Sequence, residues 1–163
     1  MKRNLVLALA LVALAACSPT FANAPPNRPP AGLGRADAEQ LILRADDLRR
    51  RAFELPGTSA LSEAFGGPAL TRLQAQSDSF RLRGLRMEER DSTRSLVYWS
   101  SISLEGVLQI AAERRMAPNP QTQRWTETLR QWWVRVARVG DTWLVVDEGE
   151  LPPDRWRQDT SSA

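Results

Sequence analysis

Carboxylates, one tyrosine and arginine are almost the only side chains here that could move a proton or hold a charged substrate. The chain has no histidine, one lysine (Lys2) and one cysteine (Cys17). That vocabulary excludes a Ser-His-Asp triad, a Cys-His pair, a Schiff-base lysine beyond the leader, Cys/His zinc sites and iron–sulfur ligation. It also excludes internal disulfides, although an exported protein can use them. No cofactor and no metal is expected. What remains is Asp, Glu and Tyr98, with Arg as an electrostatic group. Glu88, Glu113, Glu127, Arg130 and Arg135 fall on strand-like segments and are candidates for an inward-facing polar cluster. The plainer alternative is solvated cross-strand Arg–carboxylate pairs, each contributing about 1 kcal/mol or less.

Cys17 has a context of its own. It follows Lys2, Arg3 and twelve unbroken apolar residues, Leu5 to Ala16. A run that short suits a signal-peptide core and falls below the roughly 20 residues of a membrane-spanning helix. The segment Leu14-Ala15-Ala16-Cys17 resembles the bacterial lipoprotein signal and its lipobox. The resemblance implies cleavage between Ala16 and Cys17, a diacylglyceryl thioether on Cys17, and palmitate-type acylation of the new amino terminus. The alternative is an ordinary secretory signal or an anchor helix with an incidental cysteine. On the lipobox reading the protein is anchored in the bacterial cell envelope through Cys17. Ser18, where sorting would read an Asp, directs it to the outer membrane in a two-membrane organism.

The charge pattern argues against nucleic acid. Of 22 basic and 19 acidic residues, Lys2 and Arg3 leave with the leader, so the balance falls from +3 to +1. Every remaining base is Arg, which lifts the pI without making a basic patch. Arg pairs carboxylates bidentately, so these arginines read as partners of the acids.

The elements that must position these groups come next. Residues 1–16 are the leader. Residues 17–35, rich in Pro, Ala and Gly, form a tether. A single domain spans 36–150, and 151–163 are a tail. A helix is expected from Asp37, capped by Asp37 with Gln40 and carrying an apolar stripe of Ala38, Leu41, Ala45, Leu48, Ala52 and Leu55. Pro56-Gly57 stops it. A short helix through Leu61, Ala64 and Phe65 ends at Gly66-Gly67, and Pro68 opens a third with Leu70, Leu73 and Ser77 on one face. The period then changes. Strands are expected over Phe80–Arg90, Arg94–Ile102, Val107–Met116, Gln123–Val139 and Thr142–Asp147, with turns at Asp91-Ser92, Glu105-Gly106 and Gly140-Asp141. This is an α+β domain: N-terminal helices packed on a curved five-stranded antiparallel meander.

Leu61-Ser62-Glu63-Ala64-Phe65-Gly66-Gly67-Pro68-Ala69-Leu70, Ala111-Ala112-Glu113 and Val139-Gly140-Asp141-Thr142-Trp143-Leu144-Val145-Val146-Asp147 resemble the nuclear-transport-factor-2-like, or cystatin-like, superfamily. The variant most similar is that of the intermembrane-space region of a plastid-division protein and of bacterial envelope proteins. The resemblance implies a cone-shaped domain with a long helix and a shorter pair in the mouth of a curved sheet. Glu113 sits mid-strand in a resembling segment and is the alternative catalytic base if the protein is a lyase- or isomerase-type enzyme. The leading expectation is a non-enzymatic binding or scaffolding module engaging an envelope protein partner or a small apolar ligand. Trp99, Trp125, Trp132, Trp133 and Trp143 are the candidate pocket or partner surface, although filling the core is the commoner use of tryptophan. Trp132 and Trp133 are adjacent on a strand and must face opposite ways. Trp156 follows two prolines, and either folds back on the domain or belongs to a free tail.

Overall fold

A computed structural model describes residues 32–57 and 60–157. Cys17, its leader and most of the tether lie outside them. Two helices come first: α1, Arg35–Glu54, and α2, Gly67–Leu82, with a 3-10 turn, Leu61–Glu63, between them. Four strands follow: β1 Arg86–Ser100, β2 Glu105–Ala117, β3 Thr126–Val139 and β4 Thr142–Leu151. They form one sheet in the order β1-β2-β3-β4, every pair antiparallel.

Among the described residues the sheet has four strands and not the expected five, because the segments expected as Phe80–Arg90 and Arg94–Ile102 contribute the single strand β1. Phe80, taken as a strand start, lies in the last turn of α2. Its ring meets Phe53 of α1 edge-on, with centroids 4.9 Å apart, and that contact favours helix over strand there. Asp91-Ser92, read as a turn, is a bulge inside β1. Arg90 pairs with Glu113 and Thr93 with Ala111, so Asp91 and Ser92 together oppose Ala112. Asp91 takes φ +49°, a left-handed value that Asp tolerates both in turns and in bulges. The same local preference thus served a bend within one strand. The Glu105-Gly106 turn is also displaced. Both residues are in β2, and the chain reverses through Ser101–Leu104, with Leu104 at φ +56°. Gly106 is instead a close-approach site, where a Cβ would lie 3.1 Å from Leu96 and from Trp99.

The helices cover one face of the sheet, here the inner face. The buried stripe of α1 is Ala38, Ile42, Ala45, Asp46, Arg49 and Ala52. It is rotated from the expected stripe: Leu41 and Leu48 are half-buried and Leu55 is exposed. Asp37 lies within the first turn rather than capping it, and Gly34 holds the cap position. From α2, Ala69, Leu73 and Ser77 face inward, and the Ser77 hydroxyl donates to the Ala52 carbonyl at 3.0 Å, joining the two helices. Phe65 is bridged in parallel to Val145 of β4: the Gly66 amide donates to the Val145 carbonyl and the Val145 amide to the Ala64 carbonyl, each at 2.9 Å. Leu96, Leu108, Ile110, Val134, Val136 and Val145 complete the core from the sheet. Leu33, within the expected tether, is buried in this core, and its carbonyl accepts from Trp99 Nε1 at 3.2 Å.

A candidate ligand cavity on the inner face

Strand alternation sorts the chemistry-bearing side chains onto two faces. The register places Arg114 opposite Glu89, Arg94 opposite Ile110, Leu108 opposite Trp132, and Val134 opposite Glu148. These residues share the face that carries the buried core. From the helix side α1 lowers Asp46 and Arg49 onto them, because both lie on its buried stripe. A connected ion network results. Arg49 donates to Asp46 and, at 3.0 Å, to Glu148. Arg94 donates to Asp46 and to Glu89, and Arg114 donates to Glu89 at 2.6 Å. The Asp46, Glu89 and Glu148 side chains are almost fully buried, Glu89 at 1 % exposure.

The electrostatics follow from that burial. Burial pushes the Asp46 carboxyl up, but the Arg49 and Arg94 guanidiniums outweigh it and hold it below the ordinary carboxylate range. Glu148 ends on the other side: burial drives it above its usual value against the pull of Arg49, and the nearby Asp46 charge adds to the rise. Burial lowers Arg49, yet Asp46 and Glu148 more than reverse this and hold it charged.

Beside the network lies a cavity of about 400 Å³, open on one side. Its helix wall is Asp46, Arg49, Arg50 and Phe53 of α1 with Gln76 and Phe80 of α2; its sheet wall is Met87, Arg94, Arg114, Met116, Arg130 and Trp132. The Arg49 guanidinium carbon stacks 4.0 Å from the centre of the Trp132 ring. Trp132 Nε1 is buried with no hydrogen-bond partner, alone among the buried side-chain polar atoms of the described residues. Such a donor costs about 1–3 kcal/mol.

Most of the sequence-expected residues are elsewhere. Of the five tryptophans, only Trp132 lines this cavity. Trp99 and Trp143 pack against the core. Trp125 is held between Arg90 and Arg115, at 4.3 and 4.4 Å, with those arginines paired to Glu113 and Glu88. Trp133 faces the outer side, in a groove with Tyr98, Val107, Leu151 and Trp156. Glu113 is on that outer face too, 2.6 Å from Arg90, so it cannot serve a reaction in the inner cavity. Of the strand cluster Glu88, Glu113, Glu127, Arg130 and Arg135, alternation turns only Arg130 inward. The residues that do build the site, Asp46, Arg49, Glu89, Arg94, Arg114 and Glu148, had one signal in the sequence. Asp46 and Arg49 share a four-and-three spacing with Ala38, Ile42, Ala45 and Ala52, a stripe in which charges must be paired if it is buried.

The described part of the tail, through Arg157, folds back. Gln131, 1 % exposed on the outer face, donates through Nε2 to Gln109 at 3.0 Å and to the Arg157 carbonyl at 2.7 Å, and accepts from the Arg157 amide at 2.6 Å. Trp156 donates to the Leu151 carbonyl at 2.9 Å. Among the described residues no group of three or more His, Cys, Asp or Glu is placed to hold a metal, and no helix is long and apolar enough to cross a membrane.

Fold and site together define an α+β domain with helices N-terminal to a four-stranded antiparallel sheet and a charged, partly apolar cavity between them. No protein-family model matches the sequence, and no curated protein matches it. Among solved structures, the chain is similar to the intermembrane-space region of the chloroplast protein ARC6, with a TM-score of 0.58 at 14 % identity over 72 % of this chain and 96 % of that one. At that identity the likeness concerns the fold.

Proposed function

We propose that the protein is a non-enzymatic binding module of the bacterial cell envelope, anchored by lipid on Cys17 and engaging its ligand or partner through the inner-face cavity. Its domain is a four-stranded relative of the nuclear-transport-factor-2-like, or cystatin-like, group. The observation that carries the reading is the state of the inward carboxylates. Asp46, Glu89, Glu148 and Glu150 each accept from an arginine, and Asp46 is held ionised by two. A general base needs a free lone pair within reach of its substrate and a pKa near the working pH. The only carboxylate on the cavity lining, Asp46, has each oxygen engaged by an arginine and a pKa held below the ordinary carboxylate range. What the cavity does offer is apolar wall and fixed donors, the composition of a recognition site. The fold likeness to an intermembrane-space domain agrees with an envelope setting.

Photocrosslinking in intact cells tests this. A photoreactive residue in place of Met116, at the cavity rim, should form an adduct with an envelope component. The same residue in place of Leu129, exposed on the outer face, should not. Equal labelling at both positions, or none at either, contradicts the reading.

A further inference from the structure

Apart from the exposed Gln76 amide, which offers both a donor and an acceptor, the unfilled polar groups of the cavity are donors. Arg114 donates only through Nε, to Glu89, and neither of its terminal nitrogens has an acceptor among the described residues. Arg130 has one long contact, 3.4 Å from Nη1 to Glu150. Trp132 Nε1 has none. The lining's one acid, Asp46, is already shared by Arg49 and Arg94. The remaining wall is apolar and adaptable. Met87 and Met116 are cross-strand partners on β1 and β2, and Phe53 and Phe80 face them from the helices. The volume, about 400 Å³, suits a small ligand.

We propose that this cavity binds a single-headed anionic amphiphile, a medium-chain fatty carboxylate. The two headgroup oxygens meet the terminal nitrogens of Arg114 and Arg130, and the chain lies along Met87, Met116, Phe53 and Phe80. The proposal rests on the binding-module reading and names its ligand class. A carboxylate matches the guanidinium fork, and charge-assisted bonds of this kind are the strong ones. Glu89 and Glu150 stand behind the two arginines, so the cluster carries little net charge at long range. Recognition is therefore by short contacts, and salt should weaken it only modestly.

Calorimetry on the mature chain, residues 17–163 with Cys17→Ser, decides the matter once a cooperative melt shows each variant folded. Dodecanoate, dodecanol and dodecyl phosphate are titrated below their aggregation limits. Dodecanoate is expected to bind one-to-one, at least tenfold more tightly than dodecanol. Arg130→Gln, at a half-exposed side chain with one long contact, should lower dodecanoate affinity about tenfold, equal to about 1.4 kcal/mol, and leave dodecanol unchanged. Arg114→Lys should do the same, and Met116→Trp should abolish both. Equal affinity for dodecanoate and dodecanol overturns the anionic headgroup but leaves a ligand-binding cavity. Phosphate binding tenfold tighter than carboxylate overturns the headgroup assignment. No binding of any probe overturns the amphiphile, while crosslinking at Met116 still judges the binding module.

Discussion

Asp46→Asn is the substitution that most exposes how the inner face is held together. Asp46 is 4 % exposed and its two oxygens accept separately, one from Arg49 and one from Arg94. Each charge-assisted bond contributes about 1.5–3 kcal/mol. Asparagine keeps one acceptor but turns an NH₂ group toward the second guanidinium, donor against donor. Arg49 keeps Glu148 and Arg94 keeps Glu89, so neither charge is wholly abandoned. The expected loss is therefore about 3–5 kcal/mol, the range for breaking a buried pair from one side. For a domain of this size about 4 °C accompanies each kcal/mol, so the melting temperature at pH 7 should fall roughly 12–20 °C. The pH dependence gives a second readout. The Asp46 carboxyl sits below its unfolded value, so its contribution is present above about pH 4 and fades as pH falls through the lowered folded value. Wild type and variant should therefore converge on acidification. Thermal melts followed by circular dichroism from pH 7 to pH 3 measure both effects. A variant melting within about 3 °C of wild type at pH 7, or a gap that widens toward low pH, would refute the reasoning.

Cys17→Ser should abolish metabolic palmitate labelling and leave an uncleaved precursor; labelling that survives would end the lipoprotein reading. Glu148→Gln should cost less than Asp46→Asn at neutral pH. The raised Glu148 pKa means that ionised Glu148 is itself unfavourable there, and Gln keeps an acceptor for Arg49; a larger loss in a chemical-denaturation comparison would contradict this. Gln131→Ala removes two bonds to the Arg157 backbone, should cost about 1–3 kcal/mol, and should raise quenching of Trp156 fluorescence by acrylamide; unchanged quenching would mean the tail is held otherwise. Glu113→Gln should change stability by less than about 1 kcal/mol, since its partner Arg90 is half-exposed.

The sequence carried local order better than pairing. Gly140-Asp141 was legible as a hairpin turn because Gly140 must take φ +61°, which glycine alone adopts freely. The opposed directions of Trp132 and Trp133 followed from strand alternation once β3 was located. The break at Asp91-Ser92 misled because a turn and a bulge demand the same backbone; only pairing with Glu113 and Ala111 on β2 separates them. Phe80 read as a strand start because its contact with Phe53 spans two elements. The ion network was hidden for the same reason. Asp46, Glu89, Arg94, Arg114 and Glu148 come from four elements, and a surface-charge expectation fits each of them taken singly. Their burial is a property of the register and of the rotation of α1, neither of which a single stripe of leucines determines.

The claim that the inner cavity is where this protein binds is tested most directly by the indole N–H resonances of its tryptophans during a dodecanoate titration. Trp132 alone lines that cavity, while Trp125, Trp133 and Trp156 belong to the outer face or its flank. A saturable shift of the Trp132 Nε1–H signal is expected, with the outer-face signals unmoved. A shift confined to Trp133 and Trp156, or no saturable shift of Trp132, would contradict it.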